Sequence, residues 1–411
     1  MRTIQFTIKA RTVESYLYGG YLFLLMEDGR ILYVSYPYLI NQLCERYSRY
    51  AKLIQLAFLH NEYFRSKAAS LLLGIDEVRQ AISKLWDKAA QEIRIEIDFA
   101  SIENDCHSMG TWQDMPLDVY MYDMRMFVAS RSGLMESRLR PDFESPDYSL
   151  HPTPFEKCFD SKVIAVSARA GKVVLSADKE GLLYGDALVK DACVRINDRD
   201  HIAGRSLRTG WSHFDLINYS SANAFQYLRN TTGLLEPDSK ERFRFGDVVE
   251  KKRIVDFAAS SFDRDAMMSR SGIPMENIRY CFNVSGKSFF LMDNGIVLNS
   301  AIKVKEEENA VYYSPVVKRV PYERGEISRR KPLKVAEVPN GYVISFFDKV
   351  VLYQKENERV LEESPSFNIR TYMGSKNYRD IVTVTKEEGV SFHSIDVLDT
   401  VPKIRAMHHR G

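Results

Sequence analysis

The stretch Lys172–Ala187, KVVLSADKEGLLYGDA, reads as an apolar strand, a charged turn ending in Gly181 and a second apolar strand. Tight hairpins need a turn residue at positive φ, which glycine adopts without the steric penalty of a Cβ. Whether this hairpin stands alone or is one unit of a repeat decides the fold.

It recurs. Aligned on the turn glycine, LFLLMEDGRILYVS carries Gly29, MFVASRSGLMESRL carries Gly133 and FQYLRNTTGLLEPD carries Gly233. FFLMDNGIVLNSA follows with Gly295 and VTVTKEEGVSFHS with Gly389. A seventh copy, VVLYQKENERVLEE, has Asn357 and Glu358 at the turn, asparagine being the next most tolerant residue there. In VIAVSARAGKVVLSA, YCFNVSGKSFFLMD and YLYGGYLFLLM another apolar strand precedes the pair, so the unit is an antiparallel meander of at least three strands.

With a helical segment at 37–96 set aside, successive turns lie about 44–62 residues apart, close to the length of one propeller blade. A meander of that size cannot bury both faces alone, and neighbours stacked on either side do so. The copies resemble the generic β-propeller hairpin with its D/E-x-G turn. They lack the GH…WD signature of WD40 blades, the paired glycines of kelch blades and a clean Asp-box, so no specific family is matched. The expected fold is mainly β, a propeller-like array of about seven antiparallel blades with an α-helical insertion after the first. The expected division is a first blade at 1–36, the insertion at 37–96 and the remaining blades at 97–411. An all-β sandwich or two small β domains are the competing architectures.

Within the insertion, GIDEVRQAISKLWDKAA places Ile75, Val78, Ile82, Leu85 and Ala89 at helical spacing, with Asp76 near the helix start. Upstream, Leu53, Leu56, Ala57 and Phe64 fall on one side of one or two further helices. AASLLLGIDEVRQAISKL loosely resembles a helix-turn-helix, which would offer Arg79, Gln80, Ser83 and Lys84 to a DNA groove. Glu77 and Asp87 share that face and a glycine turn is common to any helical hairpin, so packing or partner binding is the better reading.

Composition bounds the functional classes. Lys and Arg number 57 against 55 Asp and Glu, so no global field favours nucleic acid or an anionic membrane, and any such case must rest on local patches. The opening MRTIQFTIKARTV alternates like a strand rather than a signal peptide, and no apolar run approaches a membrane span. Cys44, Cys106, Cys158, Cys193 and Cys281 are scattered without a CxxC pair, which fits free thiols in a reducing cytoplasm.

Candidate chemistry is sparse. The loop NDRDHIAGRSLRTGWSH gathers Asp198, Asp200, His201, Arg205, Arg208, Trp211 and His213, a set able to bind an anion or place carboxylate and imidazole for acid–base work. Charged loops are equally common for solubility alone. Asp105, Cys106 and His107 are adjacent and read as a surface turn. No zinc framework, G-x-S-x-G elbow, P-loop or HExxH occurs, so no metal, cofactor or catalytic residue is assigned.

Two basic stretches interleave with aromatics. One carries Arg242, Arg244, Lys251, Lys252 and Arg253, the other Lys318, Arg319, Arg329, Arg330 and Lys331. Such residues can hold phosphates and stack bases, although solvated charge is the usual role. The leading functional expectation is a non-enzymatic protein-binding platform, a subunit or adaptor of an intracellular complex. Nucleic-acid binding through 240–253 and 318–334 comes second, an enzyme near 198–213 third, and no membrane is expected as a partner.

Overall fold

In the computed structural model, strands of two to nine residues alternate with tight turns. The structure describes residues 3–60, 63, 66–93, 95–142, 150–187, 192–197, 201–212, 215–230, 257–259, 277–284, 286–305, 310–313, 318–319, 330–354 and 357–395. Among these, strands form seven sheets of four or five members, dominated by antiparallel meanders. The fold is a seven-bladed β-propeller with an α-helical insertion. The chain divides into two compact units, one of residues 1–116, 138–155 and 324–411, the other of 117–137 and 156–323.

In the first unit, one blade is Thr12–Tyr18, Tyr21–Met26, Arg30–Ser35 and His107–Thr111. The helices leave after its third strand and the chain returns to supply the fourth. A second blade is Lys334–Val338, Gly341–Ser345, Val350–Gln354 and Asn357–Glu362. The last blade joins Asn368–Thr371, Ile381–Lys386 and Gly389–Ser394 to the N-terminal strand Ile4–Lys9. Ile4–Lys9 pairs antiparallel with Gly389–Ser394 on one side, Phe6 opposite Phe392, and parallel with Ile95–Asp98 on the other. Its alternation is the reason: Ile4, Phe6 and Ile8 are wholly buried, while Lys9 points out. The sequence-based first blade at 1–36 therefore contributes its opening strand to the last blade.

The second unit contains four meanders that begin at Asp118–Tyr122, Ala165–Arg169, Arg208–Ser212 and Ile278–Val284. The quoted hairpin is the middle of one of them, Lys172–Ser176 paired with Leu182–Asp186. Within each unit the core lies between adjacent blades. Val343, Val350 and Leu352 pack against Ile369, Val382 and Val384 in the first, and Phe127 and Leu134 pack with Val166, Val173 and Leu175 in the second. Burial of both sheet faces explains strands such as Lys172–Ser176, in which every residue is buried.

Gly29, Gly133, Gly181, Gly295 and Gly389 all sit in the turn between second and third strands at positive φ. At Gly181 a Cβ would stand 2.2 Å from the Ala203 carbonyl oxygen, and at Gly389 2.1 Å from that of Ile8. The turn glycine thus also admits the backbone of the neighbouring segment, a second reason for the repeat. Two copies are out of register with the rest. In the fourth, the corresponding turn is Ser220–Ala224, between Asp215–Tyr219 and Phe225–Asn230, while Gly233 lies outside the described residues. In the glycine-less copy, Asn357 follows the turn between third and fourth strands, and the corresponding turn is Phe346–Lys349. The second slip exchanges one hairpin for its neighbour in the same blade, and in the fourth copy Phe225–Asn230 pairs with Asp215–Tyr219 and Phe257–Ala259, so the count of seven survives.

The insertion comprises α1 (Tyr36–Arg46), α2 (Ala51–Phe58), α3 (Lys67–Leu72) and α4 (Asp76–Glu92). The Ser35 and Ser66 side chains cap α1 and α3, and Asp76 and Glu77 place negative charge in the first turn of α4. Leu53, Ile54, Ala57 and Phe58 anchor α2, with Phe58 edge-on to Phe6 at 5.0 Å. Leu56 is only half-buried and Phe64 lies outside the described residues.

Candidate functional site

Much of the polar chemistry of this chain is placed on the first strands of the blades, and much of it is consumed by the fold. In the first unit, Arg370 grips Glu14 in two parallel bonds, Nε to Oε1 at 3.0 Å and Nη2 to Oε2 at 2.9 Å. Asn368 donates to the same carboxylate, and Lys334 donates to Asn368. Burial alone would raise the Glu14 carboxyl, but Arg370, Lys334 and the Ser15 N–H outweigh it and hold it below the usual range.

A second, partly buried cluster joins Glu362 to Lys386 Nζ at 2.8 Å and to His393 Nε2 at 2.9 Å. The wholly buried His393 leaves Nδ1 without a hydrogen-bond partner among the described residues. Burial would raise Glu362, yet His393 and Lys386 together bring it down to about 2. A carboxyl depressed in the folded state contributes stability above its unfolded pKa, near 4.5, and loses it as pH falls toward 2. Relative to Glu362→Gln, the wild-type chain is expected to lose up to roughly 3 kcal/mol across that window. Urea midpoints measured at a series of pH values check this, and parallel pH profiles for the two chains would refute it.

The residues of the 197–213 loop do not converge. Asp198, Asp200 and His213 lie outside the described residues, and His201 is exposed. Arg205, also exposed, faces Asp178 at 3.4 Å. Arg208 lies between the rings of Tyr219 and Tyr280, 3.8 and 4.8 Å from their centroids, and donates to the Cys281 carbonyl at 2.6 Å. Trp211 Nε1 donates to Ser167 Oγ at 3.1 Å. Arg208 and Trp211 thus tie their strand to the adjacent blades on either side, a packing task that uses the groups an anion would need.

Of the basic candidates, Arg242, Arg244, Lys251, Lys252, Arg253 and Arg329 lie outside the described residues. Lys318 and Arg319 form a short strand paired with Leu298 and Asn299. Arg330 is ion-paired with Asp348, and Lys331 is exposed.

Two features escaped the linear reading. The first is the surface of the insertion. Of the expected stripe of α4 only Ala89 is wholly buried, joined by Trp86 from outside the stripe, while Val78 and Ile82 are half-buried. Ile75 and Leu85 remain 47% and 46% exposed. No residue of α3 is buried, and its Leu71 and Leu72 are each 58% exposed. The helical periodicity was the signal, but nothing in it told which half would be covered.

The second is a thiol–carboxylate cluster in the second unit. Cys158 Sγ donates to Glu136 Oε2 at 3.3 Å and Cys193 Sγ to Glu156 Oε2 at 2.9 Å. Ligand atoms of Glu136, Cys158 and Cys193 all fall within 4.8 Å of one another. Glu136 is ion-paired with the buried Arg125 and accepts from Val194 N at 2.7 Å, while Arg125 donates to the Ala192 carbonyl at 2.9 Å. Burial and the neighbouring carboxylates push both thiols up, Cys193 to about 11 and Cys158 further. Far apart in sequence and outside any CxxC, these cysteines gave no motif. The pairing of Gly133–Pro141 with Glu156–Phe159 brings Glu136 and Cys158 together.

No family model matches the chain, and no curated protein matches it. Solved structures similar to it include the computationally designed Ika8 protein, at 9% identity over 96% of this chain and 100% of that one, with a TM-score of 0.43. Another is the β-propeller domain of Cps50 (Swd1) from Myceliophteria thermophila, at 7% identity over 95% and 100%, with a TM-score of 0.45. A third is PorZ, a surface component of the type-IX secretion system of Porphyromonas gingivalis, at 10% identity and a TM-score of 0.45. There the match spans 94% of this chain but 37% of PorZ.

Proposed function

We propose that this chain is a non-enzymatic protein-binding platform, a subunit or adaptor of a larger complex, and that it docks a protein partner on α3 and α4. The observation that carries this reading is the uncovered apolar surface of Leu71, Leu72, Ile75 and Leu85 on a helical arm otherwise anchored by buried residues. Large apolar side chains left in water on two successive helices are the mark of a surface awaiting a partner. Propellers commonly present such surfaces, and the engagement of Arg208 and Trp211 in packing speaks against a catalytic site around them. The same reading places the chain in the cytoplasm, supported by five unpaired thiols.

The test is purification of the tagged full chain from its native cells, with and without nuclease, beside the L71E/L72E variant. A stoichiometric protein that survives nuclease and is lost from the variant is the expected result. The variant should keep the wild-type circular dichroism, because neither residue is buried. Recovery of nucleic acid alone, or retention of the same protein by the variant, would overturn the reading.

A further inference from the structure

We propose that Cys158, Cys193 and Glu136 bind a thiophilic divalent cation of the zinc class, with Glu156 as the fourth ligand. The inference does not depend on the partner-docking role. Donor chemistry comes first: two thiols and two carboxylates form a set that such a cation accepts in a tetrahedral shell. Metal–sulfur bonds near 2.3 Å and metal–oxygen bonds near 2.1 Å put tetrahedral ligand atoms about 3.4–3.8 Å apart. The Cys158–Glu136 separation is 3.3 Å, that of Cys193 and Glu156 is 2.9 Å, and Glu136, Cys158 and Cys193 all fit within 4.8 Å. Closing the shell asks for side-chain shifts on the order of an ångström.

The backbone around these donors is shaped to gather them. Glu156 stands opposite Glu136 in the strand pair, and the register then slips between Lys157 and Phe159, leaving Cys158 as the extra residue of a β-bulge. Cys158, two residues from Glu156, belongs to the face that Glu156 and Glu136 share, and bulges recur beside functional sites. Cys193 is delivered separately. The buried Arg125–Glu136 pair holds both neighbours of Cys193, Arg125 through the Ala192 carbonyl and Glu136 through the Val194 N–H. A buried ion pair that fixes the three-residue segment Ala192–Val194 has an evident purpose if that segment carries a ligand.

Charge balances as well. Arg125 already neutralises Glu136, so the cation is balanced by the two thiolates. On loading, two S–H bonds break, two sulfur–metal bonds form and two protons pass to solvent, so the net charge of the site is unchanged and no oxidant or reductant is needed. The proton that Cys158 presents to Glu136 Oε2 is replaced by the metal, and the Val194 N–H bond to the same oxygen can persist.

The test uses the reduced full-length chain titrated with Co2+ as a spectroscopic probe and then with Zn2+. One Co2+ per chain with a thiolate charge-transfer band, displaced by Zn2+, is expected. C158S and C193S should each weaken binding at least tenfold, and C106S should leave it unchanged. Because a serine variant can fail to fold, a second readout uses the wild-type chain alone: Zn2+ should protect Cys158 and Cys193 from alkylation, but not Cys106. No charge-transfer band in the folded chain, a band that survives C158S/C193S, or a Cys158–Cys193 disulfide that forms in preference to metal binding would overturn the proposal.

Discussion

Arg370→Ala is expected to lower the stability of the folded chain by about 3–5 kcal/mol. The side chains of Arg370 and Glu14 are 9% and 6% exposed and share two charge-assisted hydrogen bonds. Removing the guanidinium leaves a buried carboxylate with Asn368, the Ser15 N–H and the more distant charge of Lys334, none of which replaces the two direct charge-assisted bonds. Arg370 also lies over the Tyr16 ring at 4.6 Å, so alanine forfeits that contact too. Glu14→Leu combined with Arg370→Met should recover much of the loss, because an apolar pair of similar volume leaves no buried charge. Urea denaturation of the two single variants and the double variant gives the coupling directly. A loss under about 1 kcal/mol for Arg370→Ala would put the pair in the class of exposed ion pairs and contradict the buried geometry.

The second large effect concerns the sheet in which the two ends of the described chain meet. Phe6 is wholly buried, stacks on Phe392 across the strand pair at 4.4 Å, and meets Phe58 of α2 edge-on. Phe6→Ala opens a cavity against the last blade and the helical insertion at once, at a cost of about 3–5 kcal/mol. Phe347, 81% exposed in the turn Phe346–Lys349, is the matched control and should change stability by no more than about 0.5 kcal/mol when replaced by alanine. Equal midpoints for the two variants in urea would mean that Ile4–Lys9 is not an integral strand of that sheet.

The architecture was legible because one physical requirement repeats: a hairpin turn at positive φ that also lets a neighbouring carbonyl approach, as at Gly181 and Gly389. Where the turn is built from other residues, as at Phe346–Lys349, the same alignment seized the adjacent hairpin instead. Strand ownership was less legible. Nothing in IQFTIK reveals that its partners are Gly389–Ser394 and Ile95–Asp98, since pairing across the length of the chain leaves no local mark. Arg208 and Trp211 looked functional because of their chemical type, but that type also suits ring stacking and hydrogen bonding between blades. Cys158 and Cys193 looked inert for the opposite reason: their proximity is created by a strand pairing, a bulge and an ion pair, none of which is a sequence motif.

The docking role of the insertion is tested most directly by a photo-crosslinking residue placed at Leu72 of the full chain in its native cells, with a control at the exposed Glu180 hairpin tip. The account predicts one discrete protein adduct from position 72 and none from position 180. Adducts from both positions alike, from neither, or to nucleic acid from position 72 would contradict it.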